Sequence, residues 1–358
     1  MRLTNNNLIS YLINKAFVNA NDVVTGDFIF HQVISRNSIF KVSLGKGNGL
    51  FIKQLQNMSA HEIYWMQKDA TTHYLFHKSD CYPETQKYIP KYHGYDPFSH
   101  VLVLDFFKEA IDLYNLATKH KVLSHQHAEQ IADIFISFHK DIEEEIGTNK
   151  SLQFYNKEVP FILRLPEFVN EQNPKEKVFE IIKDDYILRE GLIQLYREWK
   201  GNSLIHGDIK LANFLVTNNG NNEEVKLIDW ETSNVGDPLW DVAGLIQSYL
   251  STSIFTQHLK FNEQDTESDK EISLAEYERA IKAFWKRYSK HYPWNEELEK
   301  IEIKIMRFTA ARLLQTAKEF NPDNSTELVS GTTQVIDLAR TIFKDPKVAV
   351  YNYLNETK

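Results

Sequence analysis

The sequence lacks features on which several protein classes depend. Cys81 is the only cysteine among its 358 residues, which excludes an intramolecular disulfide framework and a thiolate-rich zinc site and suits a reducing compartment. No apolar run approaches the roughly 20 residues of a membrane span. Residues Met1–Asn7 lack the basic and apolar regions of a signal peptide. We therefore expect a cytoplasmic protein without a membrane partner.

Positive charge is scarce as well. The formal net charge of −8 argues against non-specific nucleic-acid binding, which needs a basic face, so we expect no nucleic-acid partner. The 42% of hydrophobic residues can bury a sizeable core, and the length fits one two-lobed domain or two small ones. The composition leaves the oligomeric state open.

The chain does carry three side chains suited to metal and proton chemistry. Asp208 and Asn213 lie in the loop His206–Asn213 between apolar runs, and Asp229 follows Asn213 by sixteen residues at the end of another apolar run. The polar turn Asn218–Asn222 between these runs predicts a β-hairpin. A carboxylate base, an amide oxygen and a second carboxylate fit a magnesium–nucleotide site, because Mg²⁺ prefers hard oxygen ligands and keeps positions for phosphates.

The order of these residues resembles that of known phosphate-transferring enzymes. The spacing His-x-Asp-x-x-x-x-Asn, with a later Asp, is similar to the catalytic loop and metal-binding Asp of protein kinases. Trp230-Glu231 stands where protein kinases have Phe-Gly, and Gly236-Asp237-Pro238 and Asp241 follow almost at once. With these four ordered pieces the chain resembles the aminoglycoside phosphotransferase and choline kinase family, and the match is specific.

The resemblance implies an α+β, bilobal protein-kinase-like fold, with an antiparallel sheet and a helix in the N-lobe and mostly helices in the C-lobe. We place the nucleotide-binding N-lobe at residues 1–104 and the catalytic and substrate-binding C-lobe at residues 105–358. The N-terminal sequence itself predicts an antiparallel meander of strands at Phe28–Ile34, Ile39–Leu44 and Leu50–Gln54.

Apolar periodicity predicts several further elements. Residues 83–97 are typical of a loop, and residues 151–174 show little periodicity. Apolar residues at helical spacing predict helices in five segments: Ser124–His139, Lys183–Lys200, Leu239–Leu250, Tyr277–Tyr288 and Ile301–Phe320.

The resemblance assigns the chemistry to the catalytic loop and to the residue that ends the hairpin. Asp208 is the expected catalytic base, which takes the proton of the acceptor hydroxyl late in the transfer. Asn213 and Asp229 are the expected Mg²⁺ ligands. Lys210 is a candidate for contact with the γ-phosphate. Asp241, in the first turn of a helix, is expected to brace the loop.

A lysine on the third strand is expected to hold the α- and β-phosphates of the nucleotide. Lys53 is the only lysine on that strand, and a strand holds the ammonium rigidly. Glu62, on the following helix, is expected to pair with Lys53 and to orient it. An exposed strand lysine and a solvated helix carboxylate are the alternative interpretations of these two residues.

The turn between the first two strands, Ser35-Arg36-Asn37-Ser38, has backbone amides, two hydroxyls and a guanidinium but no glycine. In the kinase-like fold the corresponding turn covers the nucleotide phosphates. Ser35 and Asn37 are therefore candidates for phosphate contact, and an ordinary hairpin turn is the alternative.

The buried strand Val101–Leu104 leads into the expected hinge. Backbone groups of Asp105 and Phe107 are expected to bind the nucleotide base there. Three apolar residues are expected to wall the base, although each could equally be plain core: Ile34, Leu215 and Ile228.

The expected donor is ATP, with GTP as the alternative. Between Asp229 and Asp237 there is no room for the activation segment of a protein kinase, which favours a small hydroxylated acceptor such as an aminoglycoside, amino alcohol, sugar or nucleoside. Two alternatives stay open: a peptide Ser/Thr kinase of the same fold that acts in peptide natural-product maturation, and a catalytically inactive nucleotide-binding scaffold. The acidic segment Phe261–Ser273 is expected to be a solvated loop or a surface that recruits a cationic acceptor.

Overall fold

The structure is a computed structural model, and the chain divides into two compact units. The first unit comprises Met1–Ile111 and Phe214–Ser233, and the second comprises Asp112–Asn213 and Asn234–Lys358. The predicted lobe boundary after residue 104 stays a prediction, and residues Phe214–Ser233, which follow the loop His206–Asn213, group with the first unit. The structure describes the following residues: 1–24, 28–45, 49–78, 82–139, 150–171, 176–219, 222–259, 272–294, 296–321 and 327–355.

The helices and strands follow one another in chain order. The first part of the chain contains α1 (Leu8–Asn14), α2 (Ala20–Val24), β1 (Ile29–Ile34), β2 (Asn37–Ser43), β3 (Gly49–Leu55), α3 (Ala60–Lys78), β4 (Tyr92–Asp96), β5 (Val101–Asp105) and β6 (Ile111–Asp112). Next come α4 (Leu113–Thr118), α5 (His125–His139), α6 (Phe161–Glu171), α7 (Lys177–Asp184), α8 (Tyr186–Glu198), β7 (Ser203–Ile205), β8 (Phe214–Asn219), β9 (Asn222–Leu227) and β10 (Asn234–Gly236). The last part contains α9 (Leu239–Leu259), α10 (Leu274–His291), α11 (Leu298–Glu319), α12 (Thr332–Lys344) and α13 (Pro346–Tyr353).

The first unit is built on a five-stranded antiparallel sheet with the strand order β1-β2-β3-β5-β4. Its first three strands form the meander that the sequence predicts. Lys53 in β3 lies opposite Ile39 in β2 and Leu102 in β5. Because successive side chains of a strand point to opposite faces, Ile52 and Lys53 face different layers of the unit.

A helix covers each face of this sheet. Ile52 belongs to a buried apolar cluster that includes Leu8 and Leu12 of α1. Leu55 belongs to a second cluster, which includes Met66 and other residues of α3. Lys53 has the orientation of Leu55 along the strand, so its side chain points to the face covered by α3.

Among the elements that were not predicted, β4 and α6 each have a physical reason. Residues 92–96 form β4 at the edge of the sheet, so the expectation of a loop throughout residues 83–97 was wrong. The sequence of β4 is Tyr-His-Gly-Tyr-Asp, which lacks the apolar alternation of a typical strand. Helix α6 lies within residues 151–174 and contains Pro166, a residue that normally indicates a helix end.

The hairpin predicted after the catalytic loop is formed by β8 and β9. Phe214 pairs with Leu227 and Val216 with Val225 in an antiparallel register. Trp230 follows the hairpin, is fully buried, and packs edge-on against Phe76 of α3 with ring centroids 5.0 Å apart. The segment after the hairpin is therefore fixed against α3.

The second unit is mostly helical, and α9 lies at its centre. Helix α9 is apolar around its circumference and contacts α10 and α11, as expected for a helix that lies in the interior. The five helices that the sequence predicts correspond to α5, α8, α9, α10 and α11. In the same unit β7 pairs with β10, with Leu204 opposite Val235. None of the helices among the described residues combines the length and the apolar character that crossing a bilayer requires.

Candidate active site

In the first unit, the Lys53 ammonium lies among three carboxylates. Its Nζ donates to Oδ2 of Asp69, to Oδ1 of Asp229 and to Oε2 of Glu231, each at 2.9 Å. An ammonium has three N–H donors, so these three bonds use all of them. The side chain of Lys53 is only 8% exposed. An incoming anion must therefore compete with a carboxylate for this lysine.

The charges in this group oppose the effect of burial on Lys53. Burial acts to lower the pKa of Lys53, but Asp69, Asp229 and Glu231 outweigh it and hold the pKa well above its ordinary value. Burial raises the pKa of Asp69 against the opposing charge of Lys53. Lys53 therefore keeps its positive charge at neutral pH and above.

The acid on α3 that pairs with Lys53 is Asp69, so the predicted pairing with Glu62 was wrong. Asp69 is 2% exposed, and its Oδ1 accepts a hydrogen bond from the backbone N–H of Trp230 at 3.3 Å. Glu62 lies seven residues, about two turns, earlier on α3. Its Oε2 is buried and has no hydrogen-bond partner among the described residues. Residues seven apart lie on the same face of a helix, so the sequence spacing could not show which of the two acids binds Lys53. The packing of α3 under the sheet decides for Asp69.

Glu231 binds a second cation, Arg36, in addition to Lys53. Its Oε1 accepts a hydrogen bond from Nη2 of Arg36, which lies in the turn between β1 and β2. The guanidinium carbon of Arg36 lies 5.0 Å from the centre of the Trp65 ring. Burial acts to lower the pKa of Arg36, but the ion pair with Glu231 raises it.

In the second unit, the catalytic loop brings Asp208, Lys210 and Asn213 together. Lys210 Nζ lies 2.6 Å from Oδ2 of Asp208, and Nδ2 of Asn213 donates to the backbone oxygen of Asp208 at 2.8 Å. Because a carbonyl oxygen can only accept, this bond fixes Nδ2 of Asn213 and turns Oδ1 to the other side of the amide. The Asp208 side chain is 26% exposed, so an acceptor can reach its carboxylate.

Two side chains hold the backbone of this loop from opposite directions. Asp241 accepts the His206 N–H at 2.6 Å and the Gly207 N–H at 3.0 Å. Arg312 of α11 donates to the carbonyl oxygens of Gly207 at 3.3 Å and Ile209 at 3.0 Å. Gly207 has φ 83°, a left-handed conformation that residues with a Cβ rarely adopt. The contact expected from Asp241 is thus confirmed, and Arg312 complements it.

The two turn residues predicted to contact phosphate differ in their bonding and burial. The Ser35 N–H donates to the carbonyl oxygen of Asn37 at 3.0 Å, and the Ser35 carbonyl accepts from Nε2 of Gln56 at 2.8 Å. Asn37 is 6% exposed and begins β2. The Arg36 side chain, in contrast, is 46% exposed. Phosphate contact by Ser35 and Asn37 stays a prediction.

The predicted hinge follows β5. The Asp105 N–H donates to the carbonyl oxygen of Lys91 at 2.9 Å, and the Asp105 carboxylate lies 2.6 Å from Nε2 of His93. The carbonyl oxygen of Phe107 accepts the Ala110 N–H at 3.3 Å. These bonds order the hinge backbone, and its contact with a nucleotide base stays a prediction.

The predicted walls of the base pocket differ in burial. Leu215 and Ile228 are half-buried, whereas Ile34 is 65% exposed. The acidic segment Phe261–Ser273 falls almost entirely on residues 260–271, which lie outside the described residues.

Three residues of these two groups had no role predicted from the sequence, namely Asp69, Glu231 and Arg312, and Arg36 was considered only as part of the turn expected to cover the phosphates. The sequence could have identified Glu231 as a candidate site residue, because it stands two residues after the predicted metal ligand Asp229 in the same motif. The sequence evidence for Asp69 was weaker, because it rests only on the presence of an acid on the helix that follows the Lys53 strand. Arg312 lies 99 residues beyond the loop residue Asn213, and no spacing rule connects the two.

The predicted magnesium ligands have the chemistry that this ion needs. Asn213 offers its Oδ1, and Asp229 offers a carboxylate that is 34% exposed. Asp229 has φ 68°, a left-handed conformation that aspartate tolerates better than most residues. Among the described residues, no three His, Cys, Asp or Glu side chains group as ligands for a metal.

Comparison with known proteins gives one match to a family. A model of the phosphotransferase enzyme family matches residues 109–298, just over half of the chain. No curated protein sequence matches the chain.

Solved structures of similar fold cover nearly the whole chain. An ethanolamine kinase of Plasmodium vivax matches with 14% identity and a TM-score of 0.53, over 96% of this chain and 88% of that one. A choline kinase from Cryptosporidium parvum matches with 14% identity and a TM-score of 0.52, over 97% and 96%. The GDP complex of a mutant aminoglycoside 2'-phosphotransferase matches with 14% identity and a TM-score of 0.50, over 96% and 97%. At such low identity the likeness establishes the fold alone, and it confirms the predicted α+β protein-kinase-like fold.

Proposed function

The chain belongs to the phosphotransferase enzyme family, and we propose from this membership that it transfers the γ-phosphate of ATP, with Mg²⁺, to a hydroxyl group of a small molecule. The observation that carries the proposal is the braced loop of the second unit. There Asp208 lies 26% exposed while Asp241 and Arg312 hold the neighbouring backbone. A carboxylate presented in this way is suited to bind and deprotonate a hydroxyl group.

Each residue has a role that follows from its chemistry. Phosphoryl transfer has a loose transition state, so the protein mainly positions the partners and stabilises charge on the phosphoryl oxygens. Asp208 accepts a hydrogen bond from the acceptor hydroxyl and takes its proton as the bond to phosphorus forms. Asn213 and Asp229 hold Mg²⁺, which when bound neutralises charge on the phosphate oxygens. Lys210 stays close to Asp208 and offers a positive charge to the transferred phosphoryl group.

Lys53 binds the α- and β-phosphates after one of its three carboxylates gives way. Asp229 is the most exposed of them, at 34% against 12% for Glu231 and 3% for Asp69. Asp229 is also the proposed metal ligand, and coordination competes with its bond to Lys53. We therefore assign Asp229 as the carboxylate that gives way, which couples magnesium binding to phosphate binding.

The acceptor is proposed to be a small molecule with a hydroxyl group and a cationic amine. The structures of similar fold include an ethanolamine kinase, a choline kinase and an aminoglycoside phosphotransferase, and these named substrates all have that chemistry. Sugars and nucleosides form the second group of candidates. ATP is the first candidate donor, and GTP is the second.

A panel assay tests this proposal. The purified chain is incubated with Mg²⁺ and either ATP or GTP, together with amino alcohols, aminoglycosides, sugars, nucleosides and hydroxyl-bearing peptides. Mass spectrometry then detects the added phosphate. We expect a phosphorylated small molecule that requires Mg²⁺, that forms with Asp184→Asn, an exposed control in the second unit, and that does not form with Asp208→Asn.

Other outcomes of the panel distinguish the alternatives. Phosphate on a peptide and on no small molecule would replace the proposal with a peptide kinase. Nucleotide binding without transfer to any acceptor class would favour the inactive scaffold.

A further inference from the structure

The turn between β1 and β2 lacks the usual means of binding phosphate. It has no glycine, and the Ser35 N–H is already bonded to the carbonyl oxygen of Asn37 at 3.0 Å. The Asn37 side chain is buried at the start of β2. Among these three residues, the exposed charged group is the guanidinium of Arg36, whose side chain is 46% exposed.

Two contacts within the first unit hold the guanidinium of Arg36. One is the ion pair with Glu231, and the other is the approach of its guanidinium carbon to 5.0 Å from the Trp65 ring centre. A cation near an aromatic face is attracted by the ring electrons, so Trp65 stabilises this position without neutralising the charge. Arg36 can therefore change its anionic partner while the ring continues to support it.

Arg36 and Lys53 converge on the same carboxylate. Glu231 accepts from Arg36 through Oε1 and from Lys53 through Oε2, the latter at 2.9 Å. Arg36 and Lys53 thus share one anionic partner, Glu231. A phosphate carries more negative charge than a carboxylate and accepts two parallel bonds from a guanidinium.

We propose that Arg36 binds the phosphate chain of the nucleotide by exchanging Glu231 for phosphate oxygens. The inference rests on the proposed function, and it deepens it by naming a phosphate-binding residue outside the motifs of the sequence. A guanidinium thus takes over a task that backbone amides perform in glycine-rich turns. Glu231, once released by Arg36, stays bonded to Lys53 and keeps it oriented.

The test compares nucleotides with nucleosides. Affinities of ATP with Mg²⁺ and of adenosine are measured by calorimetry for the wild type, Arg36→Met and Arg36→Lys, with GTP and guanosine as the pair if guanine nucleotide is the donor. Adenosine has no phosphate, so its binding also reports that each variant has an intact base pocket. Arg2→Met removes an exposed positive charge from the same unit and serves as the control.

The proposal predicts a selective loss. Arg36→Met should weaken ATP binding roughly tenfold to hundredfold, as expected for the loss of a charged hydrogen-bonding partner, and should leave adenosine affinity unchanged. Arg36→Lys should recover part of the loss, because an ammonium keeps the charge but cannot form two parallel bonds. Arg2→Met should bind both molecules as the wild type does.

Glu231→Gln separates phosphate binding from a purely structural role. If Arg36 acted only by holding Glu231, Arg36→Met would cost nothing further in the Glu231→Gln background. We expect instead that the double variant still binds ATP more weakly than Glu231→Gln alone. No further loss in the double variant, or equal losses for ATP and adenosine, would overturn the role of Arg36. A wild type that binds neither ATP nor GTP would overturn the proposed function as well.

Discussion

At the scale of single residues, the arrangement around Lys53 explains how one strand lysine can be both buried and charged. Three carboxylates surround its ammonium at 2.9 Å, and Asp69 lies deepest among them. A buried charge is costly unless it is paired, so Asp69 is the partner that Lys53 needs in order to keep its place under the sheet. The three other charged groups nearby, Arg36, Asp229 and Glu231, are more exposed and can exchange partners.

The choice between the two acids of α3 can be tested directly. Asp69→Asn keeps the size of the side chain but removes the charge that orients Lys53, and we expect it to weaken ATP binding roughly tenfold or more. Glu62→Gln should leave that affinity within about threefold, because Glu62 makes no bond to Lys53 among the described residues. Calorimetric titration of each variant with ATP and Mg²⁺ measures the difference. The opposite ranking would restore Glu62 as the partner of Lys53.

A buried histidine near this group gives the protein a measurable pH dependence. Burial lowers the pKa of His73 to about 3 from an ordinary value of 6.5. Between these values the unfolded chain binds a proton that the folded chain does not, so the free energy of unfolding falls as the pH drops below 6.5. The slope from this one group is about 1.4 kcal/mol per pH unit.

We therefore expect His73→Leu to lose less stability than the wild type between pH 7 and pH 4.5. Urea unfolding at a series of pH values measures the slopes. His31→Leu, which replaces an exposed histidine of β1, should retain the slope of the wild type. If His73→Leu and the wild type have equal slopes, the buried neutral state of His73 is wrong.

The residues around Lys53 and in the loop differ in how readily the sequence alone identifies them as candidates. Asp208, Asn213, Asp229 and Lys53 were recognisable because motif spacing and strand position single them out. Asp69 was not, because two acids on one face of α3 look equivalent until the depth of each beneath the sheet is known. Sequence patterns describe which face a residue occupies, whereas burial depends on what the rest of the chain packs against that face.

At the scale of secondary-structure elements, α9 and α11 act as supports for a loop that has little structure of its own. Asp241 at the start of α9 accepts two N–H groups of the loop, and Arg312 of α11 donates to two of its carbonyl oxygens. Gly244 of α9 packs so closely that an added Cβ would lie 3.1 Å from Cβ of Ile209. The loop geometry is therefore set by the helices beneath it.

Asp241→Asn tests this support. Asparagine keeps one oxygen but turns an NH₂ group toward a backbone N–H, so either His206 or Gly207 loses its acceptor. A buried donor left without a partner costs roughly 1–3 kcal/mol, and we expect kcat to fall about tenfold to hundredfold. The affinity for ATP should fall less than kcat, because Lys53 and its partners belong to the other unit and the loop contributes only Asn213 to the proposed magnesium site. Ser248→Ala removes a single bond, to the Leu211 N–H, and should have a smaller effect on kcat.

Several elements that the sequence predicted contain long apolar patterns, whereas two that it missed, β4 and α6, contain residues that disfavour a strand or a helix. The meander β1–β3 and helices α5 and α9–α11 have long apolar patterns. The edge strand β4 has a glycine and a histidine among five residues, and α6 has a proline inside it. In both elements the surrounding structure outweighs the local preferences of the sequence.

At the scale of the whole molecule, the fold divides the chemistry between two compact units. The first carries Lys53, Asp229 and the cations around Glu231, and the second carries Asp208, Asn213 and the residues that brace them. The proposed phosphate-binding residue Lys53 and the proposed base Asp208 therefore belong to different units. Substitutions around Lys53 should mainly change the affinity for ATP, and substitutions around Asp208 should mainly change the rate of phosphate transfer.

The role of Asp208 as the base is tested by comparing ATP binding and phosphate transfer in Asp208→Asn and the wild type. Asparagine cannot take the proton of the acceptor hydroxyl, so we expect transfer to fall at least about hundredfold, the lower end of what a general base contributes. The affinity for ATP with Mg²⁺ should stay within about threefold of the wild type, because Asp208 is not one of the nucleotide ligands assigned above. A variant that transfers phosphate at the wild-type rate would contradict the account.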